Sequence, residues 1–524
     1  MTFDLIIKNG TILDGIANEG RLADVGIAGG KIAAVDDLKN ARAARVIDAR
    51  QKYVAPGFVD AQNHSDSYFT LLEIPAVPSL VAQGITTAAV GQCGTSLAPL
   101  SGPAALKSIQ KWHSLAGANI NWLSFAEFFE ALSGYPLGVN VASLAGHATL
   151  RRGLVGDQIR AATPEEIKIM EKLILDSFAA GAAGVSLGLM YAHEADSSAA
   201  ELASAAGLAA RSKKLLSVHL RSEGAHLVQA VDEALALAAA APGTNLKISH
   251  FKARGRQNWP FQAEALAHLD QAYQRGVNVW FDVYPYSTSW TVLYTYLPKW
   301  AYEGGRSAIL NNLQNRSARE KMAAYLRDQE QNLGSVFIAT SETNPALVGK
   351  TLAQVAANQE VSVEEALLNV LSATSTQVIA FDHNLSESHV EQLLRHPLSV
   401  IATDGAGYDF AYNPGHGLLH PRCFGTFPKF LSMVREKKLM TWGEAVKKIT
   451  SRPAEKLGLK DRGKIVKGAA ADLVVFDPKT VGSRATYENP YVEPDGIELV
   501  LVGGKIAYSS TEGTRETAGK ILRI

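Results

Sequence analysis

Cysteine is scarce in this sequence: two residues of 524, Cys93 and Cys423. A disulfide framework is excluded, although one bridge is arithmetically possible. The scarcity suits a reducing compartment, so a cytoplasmic location is expected. Excess charge is missing as well, since Lys and Arg together number 51, as do Asp and Glu. Without a basic surplus to neutralise phosphates, neither a nucleic-acid partner nor an acidic surface is expected. Long apolar runs are also lacking. No window approaches the roughly 18 unbroken apolar residues of a membrane span, so no membrane partner is expected. The opening stretch MTFDLIIKNGTILDG has no basic start and no long apolar core, and does not read as a signal peptide. Nothing reads as a low-complexity linker. What is present is ordinary globular composition, 47% hydrophobic and 19% charged, in a chain long enough for a large core and more than one domain. None of these features bears on oligomeric state.

Residues 1–55 read as short strands broken by turns, with Asn9-Gly10 and Gly29-Gly30 as hairpin signals. From Pro56 the texture changes. Eight apolar strands follow in order, in GFVDAQNH, TTAAVGQC, NVASLAGH, AGVSLGLMY, LLSVHL, LKISHF, VNVWFDVY and LSVIATDG. Amphipathic or Ala-rich helices lie between them, such as PEEIKIMEKLILDSFAA behind Thr163. Buried parallel strands read as continuous apolar runs. Eight βα units predict an α/β fold, a (β/α)8 TIM barrel over residues 56–429. The interval of about 287–375 is too long for a crossover and reads as an insertion after strand seven, on the active face. After SRPAEKLGL the β texture returns in GKIVKGAAADLVVFDP and IELVLVGGKIAYSS. Residues 1–55 and 430–524 are therefore expected to build one small β-sandwich domain from both chain ends.

In PGFVDAQNHSD, side chains two apart on a strand face the same side, so Gln62 and His64 share one cavity. In such barrels the C-terminal strand ends carry the chemistry. The predicted ends hold Gln62 and His64, Cys93, His147, Tyr191, His219, His250, Asp282 with Tyr284, and Asp404. Each alone has an ordinary explanation: a hydrogen-bonded histidine, a small buried thiol, a turn aspartate. Jointly they suggest more. Two imidazoles and a thiolate suit Zn²⁺ and leave a fourth position for water, and a nearby carboxylate can take that water's proton.

The chain resembles the amidohydrolase superfamily, and within it the D-aminoacylase (N-acyl-D-amino-acid deacylase) branch. LIIKNGTILDG, VAPGFVDAQNHSD, QGITTAAVGQCG, SVHLRSEG, ISHFKARG, FDVYPYS, LLRHPLSVIATDG and HPRCFGTFPKFL match in order over nearly the whole chain. The resemblance implies one tightly bound Zn²⁺ on Cys93, His219 and His250, with Asp404 as general base and then acid. His64 matches the second histidine of a strand-one His-x-His pair. Arg422 matches an arginine for the substrate's α-carboxylate. Lys252 and Tyr191 match residues near that carboxylate, Ser289 matches another polar contact, and Tyr284 is expected to be a further substrate-binding residue. The implied activity is hydrolysis of an N-acyl-D-amino acid, a small-molecule partner, to a carboxylate and a free D-amino acid.

Three departures stand out. MYAHEADSS replaces the branch's proline-containing sequence after the tyrosine, and a longer loop separates Asp404 from Arg422. Gln62 stands where the branch has histidine. A glutamine carbonyl is a poor zinc ligand beside imidazole, so the second metal position is expected to be weak or empty. Two alternatives follow. One is hydrolysis of a cyclic amide or a D-residue dipeptide; the other is a catalytically silent carboxylate-binding protein. Trp290, Tyr294 and Trp300 offer apolar surface in the insertion, with core packing as their expected role. His416 and His420 are placed near Arg422, and His147 is expected to face the site.

Overall fold

The computed structural model describes the chain except for residues 1, 103, 106–118, 157, 159, 192, 330–331, 342, 412–416 and 515. The chain opens with β1 (Thr2–Ile12), β2 (Arg21–Ala28), β3 (Lys31–Asp36), β4 (Arg42–Asp48) and β5 (Tyr53–Pro56). It closes with β18 (Leu473–Phe476), β19 (Ile497–Val502), β20 (Lys505–Ser509) and β21 (Gly513–Thr514). These nine strands form one sheet, ordered β21-β20-β19-β18-β5-β1-β2-β3 with β4 beside β1. The antiparallel pairing of β5 with β18 joins the two chain ends. The Gly29–Gly30 turn folds back onto the segment before β18, where Ala471 N–H donates to Gly30 O and Ile32 N–H to Ala469 O, each at 2.9 Å. Leu5, Ile7, Val25, Ile27, Leu473 and Leu501 fill the space so enclosed. No hairpin forms at Asn9-Gly10. β1 runs through it with a bulge, where Asn9 takes φ +63° and its N–H donates to Asp24 Oδ1 at 2.9 Å. An Asn-Gly pair tolerates left-handed backbone in a turn or a bulge alike, and the long pairing of β1 with its neighbours selects the bulge.

The barrel strands are β6 (Phe58–Asp60), β7 (Ile85–Val90), β8 (Asn140–Ser143) continued by β9 (Ala145–Gly146), β10 (Gly184–Gly188), β11 (Leu215–His219), β12 (Asn245–Ile248), β13 (Asn278–Val283) and β17 (Ser399–Ile401). All pair in parallel. Ala183 N–H donates to Ser143 O at 2.9 Å, bridging β8 towards β10. Asp404 N–H to Gln62 O at 2.9 Å and His64 N–H to Gly405 O at 2.8 Å close the last strand end on the first. The helix predicted behind Thr163 spans Pro164–Ala179, started by a capping box in which Thr163 and Glu166 satisfy each other's backbone N–H.

The interior is layered. Val59, Ala89, Ala142, Leu215, Trp280 and Val400 make an apolar floor, with Leu522 and Ile524 packed against it. Burying each larger floor side chain contributes ~1.5–3 kcal/mol. Above lies a polar layer of Gln92, Ser217, Lys247, Ser249 and Asp282, and above that the candidate site. The insertion has a core of its own, including Leu293, Ile309, Leu326, Ile338 and Leu367. Its sheet orders β14 (Ser289–Val292), β16 (Val378–Asp382) and β15 (Phe337–Ser341) as β14-β16-β15, all antiparallel. The unit thus runs past residue 375, because Val378–Asp382 has the composition of a barrel strand but pairs within the insertion. The helix Arg422–Lys437 crosses residue 430, and its Phe427, Phe430 and Leu431 share the barrel's core. Among the described residues no helix is long and apolar enough to cross a membrane.

Candidate metal centre and substrate cavity

Cys93, His219 and His250 converge above the polar layer, buried, with their ligand atoms all within 4.8 Å of one another. The Cys93 sulfur lies 3.4 Å from His250 Nε2. Backbone strain aims these groups. Cys93, His250 and Asp404 take φ of +53°, +35° and +47°, the left-handed region that side chains rarely adopt. Neither ring nitrogen of buried His219 has a hydrogen-bond partner. A buried imidazole with both nitrogens unsatisfied, beside a thiol and a second imidazole, is a donor set that zinc satisfies. Burial alone would push the Cys93 thiol up, yet the charge on His250 leads the effects that hold it well below the usual thiol range. A thiolate is the form a metal requires.

His250 is fixed from behind. Its Nδ1 lies 3.0 Å from Glu223 Oε1, and Glu223 also accepts from Lys252 Nζ at 2.5 Å. Nδ1 also lies 2.9 Å from Lys252 Nζ, so with Nε2 turned to the metal position the ring is held from behind by the Glu223–Lys252 ion pair. Burial opposes ionisation of Glu223, but Lys252 and His250 hold its carboxyl well below the ordinary range.

Asp404 faces the triad from the end of the last strand. Its Oδ1 is 3.2 Å from His64 Nε2 and its Oδ2 is 2.8 Å from Arg422 Nη1. Burial would raise this carboxyl; Arg422 and His250 more than offset that and hold it well below its ordinary value. Burial lowers and Asp404 raises the His64 imidazole, which ends at about 9. Arg422 is sandwiched between rings, 4.9 Å from the Tyr284 centroid and 5.2 Å from that of Trp290. Arg422 Nε and Trp290 Nε1 are buried donors without partners. Unpaired buried donors are costly unless a ligand takes them up.

His64, Cys93, Tyr191, His219, His250, Lys252, Tyr284, Ser289, Asp404 and Arg422 all line one cavity. Tyr191 lies over His219, with ring centroids 4.8 Å apart. Trp290 belongs to the wall, stacked on Tyr68 at 5.3 Å, so its role extends beyond packing the insertion. Trp300 is largely exposed, and Tyr294 packs against the insertion core. His147 does not face the cavity: it heads the helix His147–Val155 and pairs with Glu194 at 2.6 Å. His420 is buried behind Trp290, its Nδ1 accepting from Arg422 N–H at 3.0 Å. His416 lies outside the described residues.

Gln62 sits beneath the cavity, fully buried. Its amide nitrogen donates to Cys93 Sγ at 3.1 Å and lies 3.5 Å from His64 Nε2, while its carbonyl oxygen accepts from Lys247 Nζ. The carbonyl is therefore turned away from any metal. Lys247 and Glu223 were not legible as site residues by type alone. The period-two alternation in LKISH, which puts Lys247 on the face of Ser249, and the acid two residues after Arg221 in VHLRSEG are the signals that point to them.

The amidohydrolase family model matches residues 45–508. An N-acyl-D-glutamate deacylase of Alcaligenes xylosoxydans xylosoxydans is 34% identical over 521 residues, covering 99% of this chain and 96% of the relative. Among solved structures, an N-acyl-D-glutamate deacylase from Bordetella bronchiseptica, complexed with zinc and a phosphonate that mimics the tetrahedral intermediate, aligns over 100% of both chains. Its TM-score is 0.85 at 32% identity. A D-aminoacylase whose binuclear centre shows one-metal activation and second-metal attenuation aligns over 100% of both chains, with TM-score 0.83 at 33% identity.

Proposed function

The chain belongs to the amidohydrolase family, and from that premise we propose that it is a zinc-dependent amide hydrolase that deacylates N-acyl-D-amino acids. The observation that carries the proposal is one cavity holding a buried Cys/His/His donor set, a facing aspartate and a ring-sandwiched arginine. Cys93, His219 and His250 would hold the zinc, which when bound would supply the lowered water pKa and the carbonyl polarisation that amide hydrolysis needs.

The chain's own groups do the rest. Asp404 takes the proton of the attacking water and returns it to the departing nitrogen. His64, at 3.2 Å from Oδ1, holds that carboxylate in line. Arg422 serves two carboxylates. Nη1 steadies Asp404, and the unpartnered Nε is left for the α-carboxylate of the substrate, which suits a planar guanidinium. Lys252 and Tyr284 flank the same anion, with Ser289 and Tyr191 on the walls. The substrate class is a small acylated amino acid; the D-configuration follows the named relatives.

The test is a panel of N-acetyl-D- and N-acetyl-L-amino acids with a cyclic imide alongside, and zinc counted by elemental analysis. Free amine from the D series only, with about one zinc per chain, is the expected result. Turnover of the imide alone redirects the reading to ring opening. Ligand-induced stabilisation without product redirects it to carboxylate binding.

A further inference from the structure

We propose that Lys247 is a positioning residue that, through Gln62, locks the centre in a one-metal state by turning the amide N–H₂, instead of a ligand atom, onto Cys93 and towards His64. The inference rests on the zinc reading above and concerns only a second metal.

Lys247 Nζ is fully buried within reach of four oxygens. These are Gln62 Oε1 at 2.5 Å, Ala61 O at 2.9 Å, Gln92 Oε1 at 3.0 Å and Asp282 Oδ2 at 3.2 Å. The Trp280 ring lies below it, centroid 5.9 Å away. An ammonium offers donors only, so the Gln62 atom against it must be the carbonyl oxygen. The amide's orientation is thereby set by chemistry, and its N–H₂ group falls 3.1 Å from the Cys93 sulfur and 3.5 Å from His64 Nε2.

A second cation opposite the triad would draw on Cys93 Sγ, His64 Nε2 and Asp404 Oδ1. His64 Nε2 lies 3.9 Å from the sulfur and 3.2 Å from the carboxylate oxygen, so the three could share one ion. The amide donates to the sulfur and its nitrogen crowds His64 Nε2, with a buried ammonium behind. Offering the carbonyl to an ion instead requires the amide to flip. That sets N–H₂ against NH₃⁺ in a site closed to water, a donor facing a donor with both unsatisfied. An imidazole at position 62 would put a lone pair where these hydrogens are, and would take from Lys247 the shortest of its contacts. Lysine and glutamine thus form one device.

Zinc per chain is measured on the intact enzyme equilibrated across graded free zinc, for wild type, Gln62→Glu and the double variant Gln62→His with Lys247→Met. Glutamate keeps the shape and an oxygen for Lys247, but replaces the N–H₂ by a ligand oxygen. The expected result is that wild type stops at one zinc. Gln62→Glu and the double variant take a second at a free concentration about tenfold or more below any that loads wild type. Thermal melting identifies a misfolded double variant, in which case Gln62→Glu alone decides. In the cobalt-substituted enzyme, loss of the N–H···S bond in Gln62→Glu is expected to move the thiolate-to-cobalt absorption to longer wavelength. A second zinc held equally well by wild type and Gln62→Glu overturns the proposal, as does a Gln62→Glu enzyme that stays at one. A wild type holding no zinc overturns the preceding reading itself.

Discussion

On one side of Cys93 stand two imidazoles, one of them with no hydrogen bond at either nitrogen; on the other stands an amide with its hydrogens committed. The first side is backed by an ion pair, Glu223 with Lys252, which fixes the His250 ring and leaves its Nε2 turned to the sulfur. The second is backed by an ammonium, Lys247, which makes Gln62 a donor of protons. The same sulfur serves both. What separates a ligand position from a closed one is whether the group behind it leaves a lone pair or a hydrogen facing the sulfur, a distinction that side-chain placement alone does not reveal.

The largest effect is expected where the two sides meet. Cys93→Ala should abolish zinc retention and deacylation together, read by elemental analysis and by free-amine release. Asp404→Asn should separate them: zinc content stays at the wild-type level while kcat falls by about 10²–10⁴-fold. If zinc is lost as well, the aspartate is part of the metal cage instead. Glu223→Gln weakens the support of His250 and should cost about 10–100-fold in zinc affinity, measured by competition with a chelator. Arg422→Lys keeps the charge but not the fork. It should raise KM about tenfold with a smaller change in kcat, reporting lost carboxylate recognition.

The smallest effect belongs far from the sulfur. Two hydrogen bonds from Arg160 lead the effects that hold the Glu166 carboxyl down at about 2, below its ordinary 4.5. A depressed carboxylate stabilises the fold above its unfolded pKa and loses that contribution as pH falls through the folded one. The melting-temperature gap between wild type and Glu166→Gln should therefore be present at neutral pH and close on acidification towards about pH 2. Zinc content and turnover should not move.

The barrel was legible because each buried strand is an apolar run ending in a polar residue, and fold demands and chemistry fall on different residues of the run. Val378–Asp382 shows where that signal fails. Its composition suits a barrel strand, and only its antiparallel partners assign it to the insertion. In the site, residue type sufficed for Cys93, His219 and His250, whose side chains are themselves the chemistry. It did not suffice for Gln62. The sequence marks the residue as a poor ligand, but its amide orientation is decided by Lys247, 185 positions away. His147 fails for the converse reason: a strand-end histidine turns from the cavity when two buried glutamates claim its ring.

His64 and the aspartate it steadies are 340 positions apart, and the barrel closes only when that second segment docks. A ribosome therefore releases the three zinc-compatible groups well before Asp404. At ~5–20 residues per second the delay between His250 and Asp404 is roughly 10–30 s. The cavity that the triad shares with Asp404 is therefore complete only after the last strand has emerged and docked on the first.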